Sequence, residues 1–327
     1  MIGFDAIPGQ QQAKRLLRNV LLRGKVSHAY IFHGPRGTGK KAAALAFARA
    51  LFCQTGKDEG CGECAECRKV ESGNHTGLVF VAPEGASVKI GQIRELKRRF
   101  QYRSSSGTPA QVYVIEEAEK MTAQAANSLL KFLEEPGAPV IALLLTENGH
   151  ALLPTIRSRA QWIPFVPLPP AEMAAVLAAE GLPEPLVRAA VHLAPGPEAA
   201  RGLASSGWFA EIRDVVIQLA KECSADVHAA MLTAQRRLAG TELAEHLETL
   251  FDLFALWFRD IVRLQWNRKD ALVFADQLEE LSKQARRRPG AEWADCIKLA
   301  MDARRRLRAH ANAQLVVDHF LLSLERR

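Results

Sequence analysis

A glycine-rich segment near the N-terminus has the spacing of a loop that binds phosphate. Residues 34–40 read Gly-Pro-Arg-Gly-Thr-Gly-Lys and match the pattern G-x-x-x-x-G-K. In such loops the glycines let backbone N–H groups surround phosphate oxygens, and the lysine reaches the outer phosphates. The pattern predicts nucleotide binding through Gly34, Gly37, Thr38, Gly39 and Lys40. A glycine-rich strand-to-helix turn without a ligand is the alternative.

The residue after the loop lysine departs from the pattern of an active ATPase. That position normally carries Ser or Thr, because its hydroxyl binds the Mg²⁺ that accompanies ATP. Here it is Lys41, and an ammonium group cannot coordinate a cation. The side chain either occupies the space of the metal or points away along the helix. We therefore expect weakened Mg²⁺-assisted hydrolysis, with ATP binding left open.

Two adjacent carboxylates, Glu116 and Glu117, follow a predicted strand over residues 111–115. The end of a strand beside a phosphate loop is where an ATPase has a metal-binding acid and a base that activates water. Glu116 stands in the first position, with one methylene more than the usual Asp. Glu117 is the candidate base, in a site already altered by Lys41. Two solvated carboxylates at a strand end are the alternative.

Four cysteines, Cys53, Cys61, Cys64 and Cys67, lie within fifteen residues. Two consecutive C-x₂-C steps and the neighbouring glycines suit a tetrahedral site of four thiolates, which is typical of structural Zn²⁺. Such a site has no open position for a substrate, so we expect it to stabilise the fold. An iron–sulfur cluster is the chemical alternative. A role in reading DNA is disfavoured, because acidic residues accompany the basic ones in this segment.

The segments around these sites alternate between short apolar runs and longer helical patterns. The apolar runs predict strands over residues 29–33, 78–82, 111–115, 140–146 and 162–166. The helical patterns between them cover residues 10–23, 41–52, 90–102 and 122–135. Short apolar strands that alternate with helices predict an α/β domain with a parallel sheet covered on both faces.

Beyond the last predicted strand the composition changes. Prolines at positions 164, 167, 169 and 170 mark a linker, and the pattern is helical almost throughout from residue 171. A further break at residues 205–207 divides this helical part. The sequence therefore predicts three domains, over residues 1–167, 168–206 and 207–327.

The overall composition is that of a globular protein, since 48% of the 327 residues are hydrophobic and 24% are charged. No apolar run approaches the roughly 18 residues of a membrane helix, and the start of the chain lacks the features of a signal peptide. We therefore expect a cytoplasmic protein without membrane contact. The net charge of +7 permits contact with nucleic acid. Arginine clusters at 286–288 and 304–308 contribute to it, and a solvated helix face is their simpler interpretation.

Several segments together resemble a known family. They are the run His-Ala-Tyr-Ile-Phe-His-Gly at 28–34, the four-cysteine insertion, the run Asn-Ser-Leu-Leu-Lys-Phe-Leu-Glu-Glu-Pro at 127–136, Ile-Arg-Ser-Arg at 156–159, and residues 308–315. Over its whole length the chain is similar to clamp-loader subunits of bacterial DNA polymerase III, which are P-loop ATPases of the AAA type. The resemblance implies an AAA-type parallel-sheet domain with a zinc module inserted at 53–67, then an all-α lid domain and an all-α collar domain for oligomerisation.

Within that family, the chain resembles the subunits that are not motors. Motor subunits keep Ser or Thr after the loop lysine and an Asp-Glu pair at the strand end, whereas this chain has Lys41 and Glu116. By resemblance, Arg159 is an arginine finger that acts in trans on ATP of the adjacent subunit; it lies in Ser-Arg-Ala, where the family has Ser-Arg-Cys. Thr146 falls near the family's sensor position. From the residues alone, a surface salt bridge is the other use of Arg159.

The family's assembly supplies the expected partners. The resemblance implies a hetero-pentamer with tau or gamma motor subunits and a delta subunit, which uses ATP to open the sliding clamp and set it on primed DNA. In that machine this chain would be a stator, and the nucleotidyltransferase activity of the DNA-directed DNA polymerase would reside in another subunit. A catalytically active motor of the tau or gamma type, or another AAA ATPase, is the alternative.

Overall fold

Five apolar segments form one parallel sheet in the computed structural model, which describes residues 3–56, 59–101, 111–134, 140–270 and 272–325. The strands are β1 Ala29–His33, β2 Leu78–Val81, β3 Gln111–Ile115, β4 Val140–Thr146 and β5 Gln161–Pro164. Their order is β2-β3-β4-β1-β5, and all neighbours pair in parallel. The predicted α/β class is confirmed, and each strand end lies within two residues of its predicted position.

Helices cover both faces of the sheet. Every residue of β4 is buried, and its side chains alternate between two apolar clusters because successive residues of a strand point to opposite faces. One cluster contains Val140, Ala142 and Leu144, and the other contains Ile141, Leu143 and Leu145. A nearly continuous run of Val, Ile and Leu is what a strand buried on both faces requires.

The chain divides into two compact units, Met1–Glu172 and Met173–Arg327. The first unit contains the sheet and the helices α1 Gln11–Arg23, α2 Lys40–Phe52, α3 Ala65–Glu71, α4 Ile90–Gln101, α5 Ala123–Glu134 and α6 Pro154–Arg157. Helices α1 and α2 pack on one face of the sheet through Leu17 and Phe47. Helices α4 and α5 pack on the other face through Leu96 and Leu129. Helix α7, Pro170–Ala178, spans the division between the units.

The second unit is helical, as predicted. Its further helices are α8 Glu184–Leu193, α9 Pro197–Ser205, α10 Gly207–Cys223, α11 Val227–Leu238, α12 Leu247–Gln265, α13 Leu278–Ala285, α14 Gly290–Arg308 and α15 Ala313–Glu325. In its core, Phe251 and Phe254 of α12 contact Phe320 of α15, with ring centroids 5.1 and 5.0 Å apart. The break predicted at 205–207 falls between α9 and α10, whereas separate lid and collar domains remain a prediction. No helix in the described part of the chain is long and apolar enough to cross a membrane.

Members of both arginine clusters make contacts inside the second unit. Arg304 Nη1 lies 2.5 Å from Asp252 Oδ1, and Arg308 Nε lies 2.7 Å from Glu248 Oε2. These two ion pairs join α14 to α12. Arg288 of the other cluster donates to a backbone carbonyl of α15 at 3.0 Å. The clusters therefore support the fold in addition to forming a solvated surface.

Candidate functional site

The glycine-rich loop connects the end of β1 to the start of α2. Gly34 has a φ of +154°, and a Cβ at this position would lie 2.0 Å from the carbonyl oxygen of Phe165. Gly39, with a φ of +83°, immediately precedes α2 and adopts a conformation that favours glycine. The N–H of Gly34 donates to the carbonyl of Thr146 at 3.1 Å. The loop is thus held between the end of β4 and the residue that follows β5.

Lys40 folds back onto this loop. Its Nζ donates to the carbonyl oxygens of Gly34 at 2.5 Å and Pro35 at 2.7 Å. Thr38 Oγ1 donates to the same Pro35 oxygen at 2.9 Å. Burial lowers the pKa of Lys40. The ammonium therefore lies at the loop, where a phosphate-binding lysine is needed.

Lys41 points at the acid pair. Its Nζ lies 2.7 Å from Glu116 Oε1 and 5.5 Å from the centroid of the Phe80 ring. The side chain thus does not run away along the helix, but neutralises the carboxylate that stands in the position of the metal-binding acid. A magnesium ion would have to displace this bonded ammonium, and no hydroxyl follows Lys40 to bind the ion. The residues present therefore do not fit Mg²⁺.

Glu117, the candidate base, is also paired. Its Oε2 lies 2.5 Å from Lys120 Nζ and 3.1 Å from Arg36 Nη2. The hydrogen bond from Lys120 and the positive charge of Arg36 lower the pKa of Glu117. Arg36 forms a second ion pair with Glu147. A carboxylate held in its anionic form by two cations is a poor acceptor for a proton from water.

Thr146, the candidate sensor residue, ends β4 beside the loop. It is 1% exposed, and its hydroxyl has no hydrogen-bond partner among the residues that the structure describes. The structure thus brings together the loop, the acid pair and Thr146 at one edge of the sheet. Sequence reasoning missed Arg36 and Glu147, which pair across 111 positions of the chain. The one available signal was the presence of Arg36 inside the loop motif.

Arg159 lies between α6 and β5. Its Nη1 donates to the carbonyl of Thr155 at 3.1 Å, and its Nη2 lies 3.0 Å from an oxygen of Glu134, the last residue of α5. The side chain of Arg159 is 41% exposed. The surface salt bridge considered as an alternative is therefore present within the chain. Because such exposed pairs contribute only about 0–1 kcal/mol, Arg159 can exchange Glu134 for another anion at little cost.

The four cysteines of the insertion converge. The sulfurs of Cys53, Cys61, Cys64 and Cys67 all lie within 4.8 Å of one another, and the Cys61 and Cys67 sulfurs are 3.9 Å apart. A tetrahedron with Zn–S bonds of about 2.3 Å has edges of about 3.8 Å. The backbone N–H of Cys64 lowers the pKa of Cys61 to about 6, and burial raises the pKa of Cys67 to about 12. The cluster can bind a metal such as zinc.

The cysteine segment is fixed to the helix that begins at the phosphate loop. Cys53 is the residue that caps the C-terminus of α2. Arg49 of α2 is buried and donates from Nη2 to the carbonyl of Glu59 at 3.0 Å. The Glu59 side chain in turn lies 2.5 Å from Arg18 Nε of α1. Sequence reasoning did not identify these anchoring residues, because a single Arg or Glu in a charged segment carries no signal of its partner.

These features define a P-loop domain of the AAA type, with a parallel sheet, a G-x-x-x-x-G-K loop after β1 and an acid pair after β3. A family model described as DNA polymerase III, delta subunit, matches residues 9–169. The chain is 34% identical over 317 residues to DNA polymerase III subunit delta' of Bacillus subtilis (strain 168), and the alignment covers 97% of this chain and 96% of the relative. The chain therefore belongs to the delta-prime family of DNA polymerase III subunits, within the clamp-loader group that its motifs resemble.

Two further relatives agree with this assignment. Subunit delta' of Pseudomonas aeruginosa is 33% identical over 267 residues, which are 78% of this chain and 77% of the relative. Subunit tau of Bacillus subtilis (strain 168) is 37% identical over 163 residues, which are 50% of this chain and 29% of tau. The likeness to tau is thus confined to about half of the chain, whereas the delta' relatives extend into its second unit. The family expected from the motifs is confirmed.

Proposed function

We propose that this chain is a stator-like subunit of the clamp loader, which does not turn over ATP efficiently and completes the ATPase site of a neighbouring subunit. The observation that carries this proposal is the ion pair between Lys41 and Glu116, with 2.7 Å between Nζ and Oε1. It neutralises the carboxylate that would bind the metal and leaves no oxygen ligand after the loop lysine. Glu117, paired with two cations, remains at most a vestigial base. Hydrolysis at this loop therefore lacks both the metal and the base.

Arg159 is the residue that this chain would lend to its neighbour. A guanidinium is permanently charged and presents several N–H donors in a plane, which suits the oxygens of a phosphoryl group in transfer. Its side chain is 41% exposed, and in the described part of the chain it is held by the exposed Glu134, the Thr155 carbonyl and a long 3.5 Å hydrogen bond to the Ser158 hydroxyl. Contact with the phosphates of an adjacent subunit can therefore replace the pair with Glu134 without disturbing the core.

The four-cysteine cluster holds a structural Zn²⁺ in this proposal. Four sulfur ligands complete a tetrahedral shell, so the ion offers no position for a substrate or a reacting water. When bound, the metal supplies cross-linking between the end of α2 and the segment that follows it, and its binding free energy contributes to folding. The four cysteines would hold the metal, and Arg49 fixes the cysteine segment to α2 through the carbonyl of Glu59.

The remaining roles follow from membership of the clamp-loader group. The partners are tau or gamma motor subunits and a delta subunit in a hetero-pentamer, together with the sliding clamp and, through the complex, primed DNA. Residues 168–206 are the lid domain, and residues 207–327 are the collar domain through which the subunits assemble. The nucleotidyltransferase activity of the polymerase lies in another subunit.

The test is the ATPase rate of a loader assembled from purified subunits, with either the wild-type chain or the Arg159→Ala variant. We expect the variant to assemble and to lower turnover at the one site that Arg159 completes by about 10³ or more, the typical contribution of an arginine finger. The measured rate of the assembly therefore falls by the share which that site contributes. Arg23→Ala removes an exposed arginine at the end of α1 and should leave the rate unchanged. Equal rates for wild-type and Arg159→Ala assemblies would refute the finger role.

The rival function, an active ATPase, is tested on the chain alone. We expect no appreciable phosphate release by the purified wild-type chain in the presence of DNA and Mg²⁺. Turnover that Lys40→Ala abolishes would favour the motor function and overturn the stator proposal.

A further inference from the structure

We propose that the phosphate loop of this chain binds the phosphates of a nucleotide without magnesium, and that Lys41, tethered by Glu116, is the built-in cation of the site. This inference goes beyond the stator function, which requires only that the loop does not hydrolyse ATP efficiently. It concerns the chain's own loop and is independent of Arg159. It predicts a nucleotide that is bound and inert.

The loop keeps the backbone form that phosphate binding needs. Gly34 could not carry a Cβ without contacting the Phe165 carbonyl, and Gly39 turns the chain into the N-terminus of α2. An ammonium group has three N–H donors, and Lys40 uses two of them on the loop carbonyls. The third is available to a phosphate oxygen. The buried hydroxyl of Thr146, without a partner in the described part of the chain, lies at the same edge of the sheet.

Three of the four carboxylates near the loop are already paired with cations of this chain. Glu116 pairs with Lys41, and Glu117 and Glu147 both pair with Arg36. Glu119 accepts the N–H of Glu147 through Oε1 at 3.1 Å, and its buried Oε2 has no hydrogen-bond partner among the residues that the structure describes. A hydrated Mg²⁺ keeps several of its waters when it binds protein carboxylates, so a buried oxygen does not serve it. A divalent cation would have to displace Lys41 or Arg36 to reach Glu116, Glu117 or Glu147, so the site disfavours it.

The same fixed charges favour a phosphate chain that carries no metal. Lys40 and Lys41 are consecutive, and both ammonium groups lie at the phosphate loop or the strand end beside it. Charge-assisted hydrogen bonds from ammonium to phosphate are about twice as strong as neutral ones. Magnesium in solution binds free ATP and removes negative charge that these lysines would meet. Added Mg²⁺ should therefore weaken the apparent affinity or leave it unchanged.

The experiment is a calorimetric titration of ATP into the full chain, once with EDTA and once with excess MgCl₂. The wild-type chain should bind in EDTA, with no tighter binding in MgCl₂. Lys40→Ala should weaken binding about 10- to 100-fold in both conditions, the loss expected for a charged hydrogen-bond donor. Lys25→Thr removes an exposed lysine outside the helices and strands and should change neither value.

The decisive variant is Lys41→Thr, which supplies the missing hydroxyl and releases Glu116. We expect its affinity for ATP to become at least about tenfold higher in MgCl₂ than in EDTA, whereas Lys41→Arg keeps the wild-type response. Circular dichroism checks that each variant is folded. Wild-type binding that requires Mg²⁺, absence of binding in both conditions, or a Lys41→Thr variant indifferent to Mg²⁺ would each overturn the proposal. Any of these results leaves the loader assay with Arg159→Ala to judge the stator function separately.

Discussion

Removal of the metal from the cysteine cluster should loosen the packing of the segment that the four cysteines tie to the end of α2. Val70 of α3 is buried in the same apolar cluster as Phe52, the last residue of α2. His75 is 4% exposed and stacks on Phe52 with ring centroids 3.8 Å apart. If the segment separates from α2, Val70 and Phe52 become exposed. Full exposure costs about 1.5–3 kcal/mol for each side chain, or about 3–6 kcal/mol together.

Thermal unfolding of the full chain measures this loss. For a domain of this size, 1 kcal/mol corresponds to a shift in Tm of about 2–4 °C, so chelation or Cys64→Ser should lower the Tm by about 6–24 °C. Elemental analysis should find one zinc per wild-type chain and none in the variant. A chelator added to Cys64→Ser should cause no further shift, because the two perturbations act through one metal. Cys223→Ser, on α10 outside the cluster, should retain the zinc.

Two results would refute this reasoning. Full zinc occupancy in Cys64→Ser would show that the ligand set is different. Loss of zinc on chelation with an unchanged Tm would show that the binding energy of the metal is not coupled to folding.

Two further predictions concern the loop and the second unit. Gly34→Ala forces a methyl group to within 2.0 Å of the Phe165 carbonyl oxygen. Urea denaturation should therefore give an unfolding free energy lower by about 1–3 kcal/mol. The control variant Gly202→Ala, in open space on α9, should not lower the unfolding free energy. In the second unit, burial tends to raise the pKa of Asp276, but the hydrogen bonds from Arg213 and Gln277 outweigh it and the pKa is lowered. The stabilisation is therefore present above the unfolded pKa of about 3.9 and is lost as the pH falls through the lower folded value. Asp276→Asn should make the Tm less sensitive to acid in that range, and an unchanged acid dependence would contradict the assignment.

Short-range patterns were sufficient to predict the sheet and both candidate sites. A strand buried on both faces must be apolar throughout, so β4 could be recognised from its residues alone. The loop and the cysteine cluster were predictable because their members are close in the chain and spaced by the geometry of phosphate and metal. In both cases the chemistry itself imposes the spacing.

Ion pairs between distant residues could not be predicted in this way. Glu134 lies 25 positions before Arg159. Glu134 ends α5 before β4 begins, and Arg159 lies just before β5 begins; because both strands are parallel to β1 in one sheet, their starts lie at the same edge. The sequence left two orientations of the Lys41 side chain open, one into the metal position and one away along the helix. The fold selects the first, because it places Glu116 within 2.7 Å of the Lys41 ammonium. A long charged side chain has several partners within reach, and only the tertiary fold selects one.

The proposed division of labour follows from the charge of the group that would take the place of a partner in each ion pair. An arginine finger that contributes a factor of about 10³ stabilises the transition state by about 4 kcal/mol, which exceeds the roughly 1 kcal/mol at most lost when Arg159 leaves Glu134. At the loop, charge repulsion opposes the exchange of Lys41 for a magnesium ion. A divalent ion about 4 Å from the Lys41 ammonium would be repelled by about 2 kcal/mol at the dielectric constant of water, the value that suits a side chain that is 59% exposed. This repulsion offsets the attraction of the ion to Glu116. In the proposed division of labour, Arg159 therefore leaves Glu134 for the phosphates of a neighbour, whereas Lys41 stays on Glu116 and opposes magnesium.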